Sequence, residues 1–147
     1  MARVHHSAVY SRDVDAGLRF YRDGLGLQVL MDHEFDGDWR TLFEAPGNHL
    51  RSVFLGDPAS PDSGIVELVA FSGAADDGHR PPPVTPRPGF FLLSFFVDVD
   101  DTLARLDALG LAGDVRRIRV PGPGGDVEMA TVRDPDGVLV ELIGAPG

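Results

Sequence analysis

One pattern occurs twice in this chain and governs what the chain can fold into. The runs GIVELVAF (64–71) and GVLVELI (137–143) each open on Gly, continue through branched residues and reach Glu-Leu. Both have the near-continuous apolar character of a strand covered on its two faces, where an unpaired carboxylate is expensive. Glu67 and Glu141, at matching places in the two copies, therefore point to a common polar target, most economically a metal ion or a shared proton.

The repetition extends upstream. HSAVY (6–10) alternates as a strand, and Asp13 can cap a helix whose Val14, Leu18 and Tyr21 share one face, with Gly24 and Gly26 as stops. In the second half, 90–97 reads as a strand. Asp98 then caps a helix with Val99, Leu103 and Leu106 in the same stripe, ended by Gly110. A gapless match of the helices pairs Asp13 with Asp98 and sets Phe91 opposite His6. Three strand-like stretches follow each helix: 27–35, 48–56 and 64–71, then 115–120, 127–133 and 138–143. DPDG (134–137) and PGPGG (121–125) read as turns.

The first half carries an insertion, DWRTLFEAPG (38–47), whose Trp39, Leu42 and Phe43 suit a short amphipathic helix and a pocket wall. Between the halves, the prolines of GHRPPPVTPRPG (78–89) remove backbone donors, so the segment reads as an extended linker. The expected organisation is a first βαβββ module over 1–77, a linker over 78–89 and a second βαβββ module over 90–147. Together they make one compact α+β domain, a size that 147 residues can supply with a core.

Composition excludes several classes of function. A net charge of -10 argues against nucleic-acid partners. With no cysteine there is no disulfide, thiolate metal site or Cys nucleophile. All 13 basic residues are Arg, which removes Schiff-base chemistry and suggests a GC-rich bacterial genome. No apolar run approaches roughly 18 residues, and the start has no signal-like core, so a cytoplasmic protein without membrane contact is expected. Neither a Rossmann glycine fingerprint nor a P-loop is present, so no nucleotide or flavin cofactor is expected.

The segments HSAVYSRDVDAGLRFYRDGLGL (6–27), GIVELVAF and RDPDGVLVELI (133–143) resemble the vicinal oxygen chelate superfamily. That group includes glyoxalase I, bleomycin-resistance proteins, extradiol dioxygenases, methylmalonyl-CoA epimerases and fosfomycin-resistance enzymes. The resemblance implies two βαβββ modules forming a curved mixed sheet around a cavity that often holds a divalent metal. It also implies metal ligands on the first and last strands of each module, and a homodimer. Carried over by residue, it gives His6, Glu67 and Glu141 as ligands for Mn, Co, Ni, Fe or Zn acting as a Lewis acid. The fourth position falls in FFLL (90–93), on Phe91 or, with a one-residue slip, Leu92, and has no ligand. That weakens a glyoxalase I assignment and argues against an extradiol dioxygenase, which needs two His and one carboxylate on iron.

Strand alternation sketches the pocket. Tyr10 shares a face with His6, and Phe91, Leu93 and Phe95 share one in the second module. With Trp39 these make the expected substrate pocket, mainly apolar and aromatic. Glu67 and Glu141 are the expected catalytic residues. His33, His49 and His79 are read as solvated, and Arg133 as a turn-stabilising residue. Three readings stay open: a metal-dependent isomerase, lyase or epimerase for a small, partly apolar substrate with vicinal oxygens; a metal-free protein sequestering an aromatic or antibiotic-like molecule; and a metal-free enzyme using the Glu67/Glu141 pair.

Overall fold

Each half builds its own sheet and its own core. The computed structural model describes residues 1–74 and 86–144. Its elements are β1 (His6–Tyr10), α1 (Val14–Leu18), a π-helical turn (Arg19–Gly24), β2 (Gln28–Asp36), α2 (Trp39–Phe43), β3 (His49–Gly56) and β4 (Ile65–Phe71). The second half has β5 (Leu93–Val97), α3 (Val99–Ala108), β6 (Arg116–Gly122), β7 (Gly125–Arg133) and β8 (Leu139–Gly144). The chain divides into two compact units, 1–22 with 26–79 and 80–147 with 23–25.

The two sheets are four-stranded, in the orders β1-β4-β3-β2 and β5-β8-β7-β6. In each, the opening strand runs parallel to the closing one and the other pairings are antiparallel. This is the α+β, two-βαβββ architecture the repeat predicts.

Capping starts the helices where the sequence requires. Asp13 accepts from Ala16 N and Asp98 from Asp101 N, satisfying amides that have no partner within the helix. In the first unit Val14, Leu18 and Tyr21 are buried as the stripe predicts. The helix nevertheless widens into a π turn after Leu18, so Phe20 is buried alongside Tyr21, both at 0% exposure. Gly17 lets α1 approach β4 closely: a Cβ there would stand 2.8 Å from Leu68 Cδ1. Val53, Leu55 and Leu68 are sealed in the first unit, and Leu106, Val132, Val140 and Leu142 in the second. Each such side chain contributes about 1.5–3 kcal/mol of burial.

One expectation changes. The strand expected over 90–97 begins only at Leu93, leaving Phe90 and Phe91 exposed. Of the Pro-rich linker, residues 78–85 lie outside the described residues, and 86–89 form no helix or strand. The expected turn at 121–125 is a tight hairpin closed by the Gly122–Gly125 pair, with Pro121 on the edge strand β6, where its missing donor is harmless.

Candidate functional site

Sheet register decides which side chains meet. Ala8 is the Cα partner of Glu67, Ser52 of Val69 and Phe54 of Glu67. One face of the first sheet therefore carries His6 and Tyr10 from β1, Ser52 and Phe54 from β3, and Glu67 and Phe71 from β4. Opposite them, Val66, Leu68 and Val53 belong to the face that packs on α1.

On the first of these faces His6 and Glu67 come together. His6 Nε2 lies 3.5 Å from Glu67 Oε1, with the carboxylate side chain 16% exposed and the imidazole 37%. The other oxygen, Oε2, accepts a hydrogen bond of 2.5 Å from Ser52 Oγ, on a residue only 2% exposed. His6 Nδ1 stands 2.8 Å from His5 Nδ1. One of those two nitrogens must donate to the other. If His5 donates, neutral His6 carries its proton on Nε2 and presents it to Glu67. The opposite choice would aim a bare ring nitrogen of neutral His6 at a carboxylate. The pair geometry thus favours a His6 Nε2–H directed at Glu67 Oε1. Both imidazoles pack on Phe54, at 5.3 Å for His6 and 5.8 Å for His5.

Farther along the same sheet lies a group of rings. Tyr10 meets Phe71 at 5.3 Å and Phe43 meets Phe71 at 6.2 Å, while Trp39 stacks on Phe43 at 5.6 Å with 12° between planes. Trp39 is fixed by its indole N–H, which donates to Phe35 O at 3.2 Å. It also lies over Gly37, where a Cβ would stand 2.7 Å from the indole.

The second unit repeats the arrangement with different chemistry. Glu141 is the partner of Ser94, whose hydroxyl donates to Glu141 Oε1 at 2.8 Å. Since Ala8 and Ser94 hold equivalent positions beside the two glutamates, the residue equivalent to His6 is Leu92, not Phe91. The helix match slips because Asp13 lies five residues after Ala8 and Asp98 only four after Ser94. The same slip corrects the expected pocket. Leu93 is the partner of Val140 and Phe95 of Leu142, so both face away from Glu141, and Phe91 precedes the strand. Ser94 and Phe96 take the Glu141 face instead.

The three ligand candidates are thus divided, His6 and Glu67 in the first unit and Glu141 in the second. Among the described residues, no group of three or more His, Asp or Glu side chains is placed to hold a metal ion. His49 pairs with Asp36 at 2.7 Å and Glu34 at 3.4 Å at the outer end of β2 and β3. Arg133 donates to Gly137 O at 3.0 Å across the DPDG turn. His79 lies outside the described residues. Ser52, Ser94 and the Phe43–Phe71 contact are not legible in the sequence, although a lone Ser inside the apolar run LRSVFLG is a signal for the first of them. Strand alternation, which turns only one of His5 and His6 inward, does not foresee that His5 also packs on Phe54.

Comparison with known proteins agrees with this fold. The model of the Glyoxalase/Bleomycin resistance protein/Dioxygenase superfamily matches residues 3–142, and the chain belongs to that superfamily. A lactoylglutathione lyase-like protein, terB, of Aspergillus terreus is 38% identical, over 97% of this chain and 75% of that protein. A probable lactoylglutathione lyase of Vibrio cholerae is 29% identical, over 96% and 89%. Among solved structures, a glyoxalase family protein from Bacillus cereus superposes with a TM-score of 0.67 at 22% identity, covering 100% of this chain and 94% of that one.

Proposed function

We propose that the chain is an enzyme that moves a proton at the carbon beside a carbonyl group of a small, partly apolar organic substrate. The observation that carries this reading is the His6–Glu67 pair at 3.5 Å, on a mostly buried carboxylate whose other oxygen is held by Ser52. Glu67 Oε1 takes the proton from carbon, and the C–H electron pair becomes the C=C bond of an enolate. The carbonyl oxygen gains the charge and accepts from His6 Nε2–H. Returning the proton to the same carbon completes an epimerisation. Where that carbon bears a hydroxyl, whose proton passes to the former carbonyl oxygen, returning the carbon-derived proton to the neighbouring carbon completes an isomerisation. Neither needs a co-reactant. Glu141, with its own hydroxyl partner in the second unit, is the second candidate base. Relatives named as lactoylglutathione lyases support an enzyme over a sequestering binder.

A divalent metal is implied by the family, and the donor set here fits it poorly. His6 and Glu67 supply one imidazole and one oxygen, since Glu67 Oε2 is engaged by Ser52, and the third candidate, Glu141, belongs to the second unit, where its Oε1 is engaged by Ser94. Leu92 stands where a second imidazole is expected. No step above is routed through a metal. A homodimer belongs to the same proposal, and a sedimentation mass of a single chain would remove it.

Deuterium wash-in from D2O at the carbon beside the carbonyl of 2-butanone and larger ketones, followed by NMR on chelator-treated protein, tests the reading. Catalysed exchange that falls about a hundredfold or more in Glu67→Gln is expected. The amide can still accept from Ser52, so this variant keeps the local fold. Loss concentrated in Glu141→Gln would move the base to the second unit. Exchange that needs Mn²⁺ or Ni²⁺ would return His6, Glu67 and Glu141 to ligand roles. Ligand binding without any exchange would leave a sequestering protein.

A further inference from the structure

The ring group beyond Glu67 does more than pack. Tyr10 and Phe43 are 53% and 54% exposed, yet each contacts the less exposed Phe71, so two aromatic surfaces flank a third and remain open. Burying rings is among the largest gains a fold of this size can make, and leaving two half-uncovered forfeits much of it. The surroundings also back one of these rings. Phe43 is backed by Trp39, which is itself held by the Phe35 carbonyl and by contact with Gly37. The loop after α2 is locked against the end of β4, where a Cβ on Gly47 would stand 2.3 Å from Ser72 O. Backing Phe43 by an anchored Trp39 lowers the entropy its ring must lose on ligand binding.

Its position relates it to the carboxylate. Tyr10 is the partner of Val69, two residues along β4 from Glu67, a step of about 7 Å. Phe71 lies four residues, about 13 Å, from Glu67, so it is a ring on the Tyr10 side of the group that would leave a carbon a few bonds away toward Glu67. Charge narrows the class further. A net charge of -10 and a carboxylate on the same face disfavour anionic ligands.

We infer that Tyr10, Phe43 and Phe71 form a ring-binding subsite, buttressed by Trp39, that selects uncharged substrates carrying an aromatic ring a few bonds from the carbonyl. This rests on the proton-transfer reading for the reacting end and on the ring geometry for the selective end.

Trp39 is the only tryptophan of the chain, so its fluorescence reports on this corner. Titration with 4-phenyl-2-butanone, 4-cyclohexyl-2-butanone and 2-butanone, beside deuterium wash-in on the same three ketones, separates the two ends. The phenyl ketone should bind about threefold to tenfold more tightly than its cyclohexyl counterpart. Phe43→Leu and Tyr10→Leu should each erase most of that preference in the concentration dependence of exchange. Both residues are half exposed, so these variants should fold, which circular dichroism checks. Equal affinity for phenyl and cyclohexyl ketones, absence of binding by all three, or full preference in both variants would overturn the subsite. Selective phenyl binding without exchange would support the subsite while overturning only the proton-transfer reading.

Discussion

Ser52 Oγ donates to Glu67 Oε2 at 2.5 Å although the two residues are not direct partners across the β3–β4 pair. The bond runs diagonally, from a serine opposite Val69 to the glutamate two positions before it, on the face they share. It fixes the carboxylate plane and leaves Oε1 turned to His6. Ser52→Ala should therefore act on both stability and chemistry. Loss of the donor should cost about 1–2 kcal/mol in urea unfolding. Proton exchange should fall about tenfold, while the threshold concentration for binding changes little. Ser52→Thr, which keeps the hydroxyl, should recover most of the rate. A rate unchanged in the alanine variant would make the serine purely structural.

The parts of this site that are legible in the sequence are those set by residues close along the chain. Glu67 stood out because a charge inside an apolar run is locally improbable, and His6 because the repeat placed it at a strand opening. The partner of Glu67 was harder to see. Ser52 lies on a different strand, and only the β3–β4 register brings the two together. In the second unit, aligning strands by their helix caps is off by one residue and favours Phe91 over Leu92. The connection between Ser94 and Asp98 is one residue shorter than that between Ala8 and Asp13, which reverses the facing of every β5 side chain. Local periodicity was sufficient for elements and caps, whereas facing depends on a loop length that periodicity does not report.

His5 should set the proton position on His6. With its Nδ1 at 2.8 Å from His6 Nδ1, it favours the tautomer that points Nε2–H at Glu67. Nitrogen-15 NMR of the imidazoles should find His6 protonated at Nε2 when neutral. His5→Ala should release that preference and lower exchange severalfold, without the near-complete loss expected of Glu67→Gln. A His6 spectrum identical in the variant would remove the tautomer argument.

Gly47 should be intolerant of any side chain. A Cβ would stand 2.3 Å from the backbone oxygen of Ser72, and backbone cannot yield as a flexible side chain can. Gly47→Ala should destabilise the protein by about 1–3 kcal/mol through strain. Because the same loop anchors α2, Trp39 emission should shift even where the variant remains folded. A normal melting temperature with normal emission would show that the loop moves freely.

The β2–β3 pair carries two ionic contacts whose pH dependences run in opposite directions. Arg51 binds Asp32 through two hydrogen bonds, at 3.0 and 2.8 Å, and holds its carboxyl below the usual range. A lowered folded-state value means stability that is present above the unfolded pKa, about 3.9, and lost as pH falls through the folded value. His49 behaves the other way. Its hydrogen bond to Asp36, and secondarily that to Glu34, raise its affinity for a proton above the ordinary value. Its contribution is complete below about pH 6.5 and disappears as pH rises through the higher folded value. Both pairs are substantially exposed, so salt should weaken them. Urea midpoints for wild type and His49→Gln should differ most near pH 6 and converge toward about pH 9. Those for Asp32→Asn should differ at neutral pH and converge in acid. His49 and Asp36 bracket the segment that holds α2, so the weakening of their contact as His49 loses its charge should also loosen the ring corner. Trp39 emission should therefore change with pH in wild type and not in His49→Gln, and a pH-independent wild-type signal would sever that link.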